Sequence, residues 1–313
     1  MSFMNKKIMI IKHGSLGDII LSLGAIKSIK MYFNDCKIYL LTSSKYYDLM
    51  KNCPYIDKII IDDRNPIYFF LKNVDLAKKI FKHNFHYIID LQNSKRTFFY
   101  NILFRLFSKS IISSSRPMAH LRYTIPPQGY EHVTTGLKNQ LHLMKIKKFY
   151  EPDIEWLSSS NVNNIKFDNS YVVIIPGTSK RGEKKRWPSD KYAKLTKFLI
   201  EKDLSVVIVG NKSDYESARP IFEMCPKAYN LIDKSPPEIL YSLAKNAKFI
   251  ISNDTGPALL VSLSRTPVVW LVNENAVSLS NKPIGKIIKI SSNSIRDITV
   301  EKVKEIVLKE NLI

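Results

Sequence analysis

Two loops in the second half of this 313-residue chain carry the side chains best suited to bind an anion. The first, Pro176–Pro188, follows an apolar run and holds five cations, two hydroxyls and two glycines. Hydroxyls, backbone N–H groups and ammonium ions suit a phosphate or a diphosphate. A basic loop that is only solvated has the same composition. This segment alone leaves both interpretations open.

The second loop, Ser252–Leu260, supplies groups that a diphosphate would also need. Gly256 lets the backbone approach a ligand, and the proline after it suits the first turn of a helix, whose unpaired N–H groups stabilise an anion. Asp254 and Thr255 can cap that helix or hold a sugar hydroxyl, and the two roles are compatible. Together the two loops could close on one diphosphate.

Two loops in the first half combine acids with glycines or amides. Gly14–Asp18 has two glycines that allow a tight turn, and its acid either caps the following helix or acts as a general base. The glycine spacing is not that of a complete dinucleotide fingerprint, which disfavours a nicotinamide-dependent oxidoreductase. Asp90–Arg96 joins an acid and amides to two cations, and a plain polar loop is the alternative interpretation.

Short apolar runs alternate with amphipathic ones, which predicts βαβ units and parallel sheets. The strands are expected at Ile8–Ile11, Lys37–Leu41, Lys58–Ile61, Tyr87–Asp90, Tyr171–Ile175, Ser205–Val209, Phe249–Ser252 and Val268–Val272. The carboxyl ends of such strands are where open α/β sheets bind ligands. We expect Rossmann-like domains at residues 1–157 and 170–295, a linker at 158–169, and a helical segment at 296–313 that could pack back on the first domain.

The formal net charge is +20, with +12 in residues 1–157 and +8 in the remainder. An anionic partner is therefore expected, whether a nucleic acid, an acidic membrane surface or a phosphorylated substrate. Three cysteines without a close pair indicate a reducing, cytoplasmic setting. No apolar run approaches the roughly 18 residues of a membrane span, and no signal peptide is expected. No metal-ligand spacing is visible among the histidines and acids, so no metal is expected.

The segment 97–110 is rich in aromatic side chains and is flanked by cations. Together with Tyr68, Phe69, Phe70 and Lys72 it could dock on an anionic membrane interface. The alternative is a helix that packs its aromatic side chains on its own sheet.

Five motifs in order resemble glycosyltransferase family 9, the heptosyltransferase family of bacterial lipopolysaccharide synthesis. They are Lys12–Asp18, Asn52–Asp57, Ile89–Arg96, Pro176–Pro188 and Asn253–Pro257. The last two are specific in combination, as K-R-W-P after P-G and as N-D-T-G-P. The resemblance extends over nearly the whole chain.

The resemblance implies a GT-B fold, with two Rossmann-like domains facing a cleft, and an inverting, metal-independent transfer of a sugar from a nucleotide-sugar donor to an anionic glycolipid or glycan. Asp18 would be the catalytic base. The donor diphosphate would be bound by Thr178, Ser179, Lys185, Thr255 and Gly256, and the donor sugar and ribose by Asp254 and Asp214. The acceptor would be bound by Gly14, Gly17, Asp90, Gln92 and Arg96.

The implied donor is ADP-heptose and the implied acceptor a lipopolysaccharide core or related surface glycan, at the inner face of the inner membrane. Two departures keep another nucleotide sugar open: Leu259 stands where the family has a histidine, and Val272–Glu274 replaces an expected G-P-T. A non-catalytic protein that binds polyanions or nucleic acid is the rival from another class. No zinc finger, helix-turn-helix or RNA-binding aromatic motif supports it.

Overall fold

The computed structural model describes residues 6–66, 68–126, 132–159, 165–276 and 281–313. The chain divides into two units, Met1–Trp156 and Leu157–Ile313. Part of the linker expected at 158–169 lies outside the described residues, because residues 160–164 are not among them.

The first unit is built on a parallel sheet with the strand order β3-β2-β1-β4-β5-β6. Its strands are β1 (Lys7–Ile11), β2 (Lys37–Thr42), β3 (Lys58–Ile61), β4 (Tyr87–Asp90), β5 (Ile111–Ser114) and β6 (Leu121–Arg122). The central strand β1 is an almost fully buried apolar run, as expected for a strand covered on both faces. In its register Ile11 is paired with both Leu41 and Asp90, so the loops after β1, β2 and β4 leave the sheet together.

Helices cover this sheet on both faces. They are α1 (Leu16–Tyr32), α2 (Tyr47–Met50), α3 (Phe70–Phe81), α4 (Lys95–Phe107) and α5 (Val133–Leu143). Ile80 of α3 and Phe104 of α4 share one buried cluster with Met9 and Ile88, so these two helices lie on the same face of the sheet. Helix α1 packs against α5.

The second unit repeats this plan with the parallel order β12-β11-β10-β7-β8-β9. Its strands are β7 (Tyr171–Ile175), β8 (Ser205–Gly210), β9 (Tyr229–Ile232), β10 (Phe249–Asn253), β11 (Val268–Asn273) and β12 (Ile287–Ser292). Its helices are α6 (Ser189–Glu201), α7 (Tyr215–Met224), α8 (Pro237–Asn246), α9 (Gly256–Ser262) and α10 (Val300–Lys309). Helix α10 packs on α6 within this unit, and its Val303 and Val307 are fully buried there.

Each sheet has one place where the strand order reverses. It lies between β1 and β4 in the first unit and between β7 and β10 in the second. Neighbouring loops leave in opposite directions at such a switch point, and the crevice between them is where open α/β sheets bind ligands. The predicted site loops therefore follow the strands on either side of the two switch points.

The prediction of an α/β fold with parallel sheets is confirmed, and all eight expected strands are present. Strands β5, β6, β9 and β12 were not expected. Three of them are edge strands, which are only partly covered and carry a weaker apolar pattern, and β5 ends in serines. No helix in the described part of the chain is long and apolar enough to cross a membrane.

Candidate active site

Asp18 lies in the first turn of α1, and Ser15 is the residue that caps the helix. Its Oδ2 accepts hydrogen bonds from the Ser15 backbone N–H at 2.8 Å and from the Ser15 hydroxyl at 3.1 Å. This arrangement is a capping box, in which Asp18 occupies the third helical position rather than the cap itself. The carboxylate is partly exposed. Capping is compatible with a base role, because Oδ1 carries neither of these two bonds.

The two glycines of this loop lie where the backbone is closely surrounded. Gly14 has a φ of +96°, and a Cβ on it would lie 2.3 Å from Cε2 of Tyr46. Only glycine fits there without strain. Gly17 is buried in the first turn of α1. Their contact with an acceptor remains a prediction.

Asp90 ends β4 and is fully buried. Its Oδ1 accepts from the backbone N–H groups of Gln92 at 3.0 Å and Asn93 at 2.8 Å, and its Oδ2 from the Ser114 hydroxyl at 2.9 Å. Burial raises the pKa of this carboxyl, although the hydrogen bonds oppose the shift. Both oxygens accept hydrogen bonds within the protein, so the side chain positions the loop after β4. Contact of Asp90 with the acceptor remains a prediction.

Lys12 links the two loops at the switch point of the first sheet. It is buried directly after β1, and its Nζ donates to the carbonyl oxygen of Leu91 at 2.9 Å. Burial lowers the pKa of its ammonium group, while the charges of Asp18 and Asp90 act in the opposite direction. The loop that carries Asp18 is thus tied to the loop after β4 by a buried cation.

A second connection runs through Gln92 and a buried cluster. Gln92 Oε1 accepts from the backbone N–H of His13 at 2.9 Å, and His13 Nε2 lies 2.7 Å from Asp62 Oδ2. Asp62 also accepts from the Tyr100 hydroxyl at 2.5 Å and from Arg96 at 3.4 Å. Burial alone would raise the pKa of Asp62, but the hydrogen bonds from His13 and Tyr100 outweigh it and lower the pKa to about 2.

This cluster also includes Arg96, whose predicted contact with the acceptor remains a prediction. Its Nε donates to the Tyr100 hydroxyl at 2.6 Å, in addition to the bond with Asp62. The guanidinium group is partly buried and engaged within the unit. In this arrangement it fixes the loop after β3 through Asp62 and the Asn65 carbonyl.

In the second unit an ion pair joins the two predicted donor loops. Lys185 Nζ lies 2.6 Å from Asp254 Oδ2, and the two side chains are 26% and 12% exposed. The loops follow β7 and β10, which are hydrogen-bonded neighbours with Ile175 opposite Ser252. Two residues with predicted donor-binding roles therefore meet at the switch point of the second sheet.

Asn253 holds both ends of the Pro176–Pro188 loop. It is fully buried, its Nδ2 donates to the Pro176 carbonyl at 2.9 Å, and its Oδ1 accepts from the Trp187 backbone N–H at 3.0 Å. Trp187 is itself fully buried, and its indole N–H donates to the carbonyl of Ile298 at 2.9 Å. These bonds fix the position from which Lys185 reaches Asp254.

The two hydroxyl residues of this loop differ in their surroundings. Thr178 Oγ1 accepts from Arg186 Nε at 3.2 Å, and the Thr178 carbonyl accepts from the same guanidinium group at 3.3 Å. Ser179 is exposed, and its carbonyl accepts from the Gly182 backbone N–H at 2.7 Å at the start of a 3₁₀ turn. Among the described residues, neither hydroxyl donates to a protein acceptor, and the contact of both with a diphosphate remains a prediction.

Thr255 and Gly256 form the start of α9. Thr255 Oγ1 accepts from the Ala258 backbone N–H at 3.4 Å, so the hydroxyl caps the helix. Gly256 is the first helical residue and is partly exposed. A diphosphate contact at this point would use backbone N–H groups in addition to the Thr255 hydroxyl.

Asp214 lies beside the loop after β7. A Cβ on Gly177 would come within 2.2 Å of Asp214 Cγ, so the glycine makes room for this carboxyl group. Asp214 is buried, and its Oδ2 accepts from the Asn211 backbone N–H at 2.9 Å. A cavity of about 450 Å³ adjoins this turn and is lined in part by Ser213 and Tyr215. The predicted ribose ligand therefore adjoins the predicted diphosphate loop.

Positive charge at the edge of the second sheet comes from protein side chains. Lys185 and Arg186 are both partly exposed there. Across the residues with described positions, no group of three or more His, Cys, Asp or Glu side chains could hold a metal ion. Independence of the reaction from metal remains a prediction.

Residues 74–305 match the family model of glycosyltransferase family 9, the heptosyltransferase family. This range is well over half of the chain. The chain belongs to glycosyltransferase family 9. The prediction that it is a glycosyltransferase is thereby confirmed.

Relatives of this family 9 chain agree with the assignment. Lipopolysaccharide heptosyltransferase 1 of Campylobacter coli is 26% identical over 295 residues, covering 85% of this chain and 83% of that protein. The crystal structure of a family 9 glycosyltransferase from Veillonella parvula has a TM-score of 0.84 at 18% identity and covers 100% of this chain and 98% of its own. The E. coli ADP-heptose lipopolysaccharide heptosyltransferase II has a TM-score of 0.77 at 18% identity, covering 97% and 99%. The predicted GT-B fold is confirmed.

The two departures from the family 9 pattern, at Leu259 and Asn273, both involve buried side chains of the second unit. Leu259 is buried in α9, one turn after Thr255. Asn273, in the segment that replaces G-P-T, donates from Nδ2 to the Lys184 carbonyl at 2.8 Å. This departure therefore supports the loop that carries Lys185.

Several residues that build the site were not given roles from the sequence. They are Lys12, His13, Asp62, Tyr100 and Asn253. Lys12 and Asp62 directly follow predicted strands, and this position was a signal that could have found them. Tyr100 lies within α4 and had no such signal, because its bond to Asp62 joins positions 38 residues apart.

Proposed function

We propose that this family 9 enzyme transfers a sugar from a nucleotide-sugar donor to a lipopolysaccharide core or a related surface glycan, with heptose from ADP-heptose as the leading candidate. The observation that best supports this proposal is the 2.6 Å ion pair between Lys185 and Asp254, which joins the two loops at the switch point of the second sheet. The name of the Campylobacter coli relative and the ADP-heptose in the name of the E. coli neighbour support this choice.

In this proposal the donor lies along the carboxyl edge of the second sheet. Lys185, the hydroxyls of Thr178 and Ser179, and the backbone at Thr255-Gly256 bind the diphosphate. Loops held in place by Asn253 offer these groups in fixed positions, so little reorganisation is needed as charge develops on the leaving group. Asp254 orients the donor sugar and Asp214 holds the ribose hydroxyls.

The transfer step is a single displacement with inversion. The acceptor hydroxyl oxygen forms a bond to the anomeric carbon while the bond from that carbon to the diphosphate oxygen breaks. The nucleoside diphosphate leaves with the electron pair, and Asp18 takes the hydroxyl proton on Oδ1. A positioned base contributes roughly 10²–10⁴-fold to such a step. Lys185 neutralises the leaving group, so the proposed step requires no metal.

The acceptor in this proposal is an anionic glycolipid or glycan on the cytoplasmic side of the inner membrane. Gly14, Gly17 and Gln92 contribute to its site from the loops after β1 and β4. Asp90 and Arg96 act indirectly, since their charged groups are held inside the unit. The excess positive charge of residues 1–157 favours such an acceptor.

A different nucleotide sugar is the second candidate, and Leu259 is the observation that favours it. The family places a histidine at this position of α9, whereas this chain has a buried apolar side chain. An imidazole that could hydrogen-bond the donor sugar is therefore missing at this position. The proposed mechanism is unchanged for another donor.

Thermal unfolding in the presence of nucleotides tests the proposal. The chain is heated with ADP, UDP, GDP or CMP, each alone and as its sugar. Ligand at about 100 times its Kd stabilises the folded state by roughly 2.7 kcal/mol. We expect ADP and ADP-heptose to raise the unfolding temperature most. In a second assay, the enzyme should transfer labelled heptose from ADP-heptose to a truncated lipopolysaccharide. Stabilisation by another nucleoside diphosphate would favour the second candidate, and no stabilisation by any nucleotide would overturn the proposal.

A further inference from the structure

Helices α3 and α4 carry exposed apolar side chains on the side that faces away from their sheet. On α4 these are Phe99, Leu103, Leu106 and Phe107, of which the last two are 67% and 68% exposed. A spacing of four and then three or four residues puts them along one side of a helix. The opposite side of α4 is anchored in the core through Phe104. Most of the apolar stripe therefore faces solvent rather than the core.

The start of α3 adds a second group of exposed apolar side chains. Tyr68 and Leu71 are 79% and 77% exposed, and Phe69 is also exposed. The rings of Tyr68 and Phe69 are in contact with centroids 4.8 Å apart, and Lys72 Nζ lies 5.2 Å from the centroid of the Phe69 ring. A cation within about 6 Å of an aromatic ring is attracted by the electron-rich face of the ring.

The two groups belong to one surface. Arg96, in the first turn of α4, donates from Nη1 to the Asn65 carbonyl at 2.9 Å, which joins the start of α4 to the segment just before α3. At the other end of the helices, Phe81 of α3 contacts Phe104 and Phe107 of α4, with ring centroids 5.5 and 6.3 Å apart. We call the exposed side of α3 and α4, with Tyr68 and Phe69, the α3–α4 face.

The exposed charges of the segment that builds this face are mostly positive. Between residues 68 and 109 the exposed acidic side chain is Asp75 alone. The exposed basic side chains of the same range number seven: Lys72, Lys78, Lys79, Lys82, Lys95, Arg105 and Lys109. Aromatic and aliphatic side chains surrounded by lysine and arginine are complementary to an anionic lipid surface, where rings enter the headgroup layer and cations meet phosphates.

A cavity lies at the end of the α3–α4 face where both helices finish. Its volume is about 680 Å³, and it lies between the ends of α3 and α4, next to Leu106, Phe107 and Lys109. Its lining includes Asn84 and Phe85, which precede β4, so it lies at the amino edge of the sheet. Asp18 and Gln92 lie at the carboxyl edge, and changes at Leu106 and Phe107 leave them untouched.

We propose that the α3–α4 face docks this enzyme on an anionic lipid bilayer, with α4 lying along the membrane surface. The proposal goes beyond the proposed function and stands on this surface alone. We favour a bilayer over a protein partner because seven exposed cations and one exposed acid accompany the apolar side chains between residues 68 and 109. Each cation near an anionic bilayer contributes attraction that salt weakens.

Sedimentation with vesicles tests this proposal. The full chain is mixed with vesicles of phosphatidylcholine alone or with about a third of phosphatidylglycerol. We expect binding to the anionic vesicles only, and a decrease when salt is raised from about 0.1 M to about 0.5 M. The double variant Leu106→Ser/Phe107→Ser should lower the partition coefficient at least about tenfold, because both apolar side chains are lost from the interface.

A control variant removes two exposed apolar side chains from the second unit. Met224→Ser/Leu308→Ser, at 46% and 49% exposure, should bind vesicles like the unchanged enzyme. Equal loss in both double variants, or no binding to anionic vesicles, would overturn the proposal. Self-association that the Leu106/Phe107 variant alone abolishes, without vesicle binding, would assign the face to a protein contact instead and would also overturn it.

Sugar transfer to a soluble, truncated acceptor separates this proposal from the proposed function. The Leu106→Ser/Phe107→Ser variant should keep its transfer rate with that acceptor while losing vesicle binding. Vesicle binding without any transfer would contradict the proposed function and leave the docking surface standing. Transfer without vesicle binding would contradict the docking proposal and leave the proposed function standing.

Discussion

The two switch points use charge in different ways. At the first, charged side chains are buried and hydrogen-bonded within the protein: Lys12 donates to a backbone carbonyl, and Asp62 is hydrogen-bonded to His13 and Tyr100. At the second, Lys185 and Asp254 pair with each other and both remain partly exposed. One edge is therefore a buried hydrogen-bonded network beside the partly exposed carboxylate of Asp18, whereas the other offers a cation to solvent.

The difference matches the two tasks of a group transfer. A base must be held in one orientation, and buried hydrogen bonds achieve this because leaving them unmade is costly. A ligand for a departing diphosphate must be reachable by an anion and must exchange its partner for that anion. The Lys185–Asp254 pair permits such an exchange, since the lysine can move from one negative group to another.

The largest expected effect concerns Asp18. Asp18→Asn preserves the size of the side chain but removes its ability to accept a proton, so kcat should fall by roughly 10²–10⁴-fold. The KM for the donor should change little. Steady-state kinetics with both substrates measures this. Asp48→Asn, an exposed acid outside the site, is the control and should keep full activity. Turnover at the usual rate in Asp18→Asn would remove this residue as the base.

A second prediction tests the buried network through pH. The folded pKa of Asp62, about 2, lies below its ordinary value of 3.8. Its stabilising contribution, roughly 2 kcal/mol, should therefore be present above about pH 4 and be lost as the pH falls through about 2. Urea unfolding across this range should show a smaller loss of stability for Asp62→Asn than for the unchanged enzyme. Asp48→Asn removes an exposed acid and should keep the full pH dependence. The same profile in both variants would contradict the network.

A third prediction separates the two members of the ion pair. Asp254→Asn removes a negative charge beside the proposed diphosphate, so the nucleoside diphosphate alone should bind as tightly as before or more tightly. Transfer should still fall about tenfold, because a charge-assisted hydrogen bond to the donor sugar is lost. Equilibrium binding and kinetics on the same variant measure both quantities. Weaker binding together with unchanged transfer would contradict these roles.

The smallest effect concerns the space that Gly177 provides. Gly177→Ala would place a methyl group 2.2 Å from Asp214 Cγ and push the carboxyl group aside. We expect a several-fold weaker affinity for the nucleoside diphosphate, of the order that a displaced hydrogen bond produces. Gly182→Ala in the same loop is the control, because the nearest atom to a Cβ there lies 3.3 Å away and the added methyl group needs only a small adjustment. Equal affinities for both variants would remove Asp214 from the ribose site.

Much of the second site could be predicted from the sequence. Apolar runs identify β7 and β10, and parallel strands that flank a switch point bring their following loops together. The approach of Lys185 to Asp254 follows from that topology. The partners of Asp90 and Arg96 could not be predicted in this way. They depend on which side chains pack across β5 and α4, and the pairing of Asp90 with Ser114 has no local signal.

Titration calorimetry of ADP into three variants tests most directly whether the two edges have separate tasks. Lys185→Ala should weaken binding by roughly 10–100-fold, because a charge-assisted contact worth about 1.5–3 kcal/mol is lost. Lys184→Ala, which removes the neighbouring exposed lysine, and Asp18→Asn should bind ADP like the unchanged enzyme. Unchanged affinity in Lys185→Ala, or an equal loss in Asp18→Asn, would contradict the assignment of the donor to the second switch point.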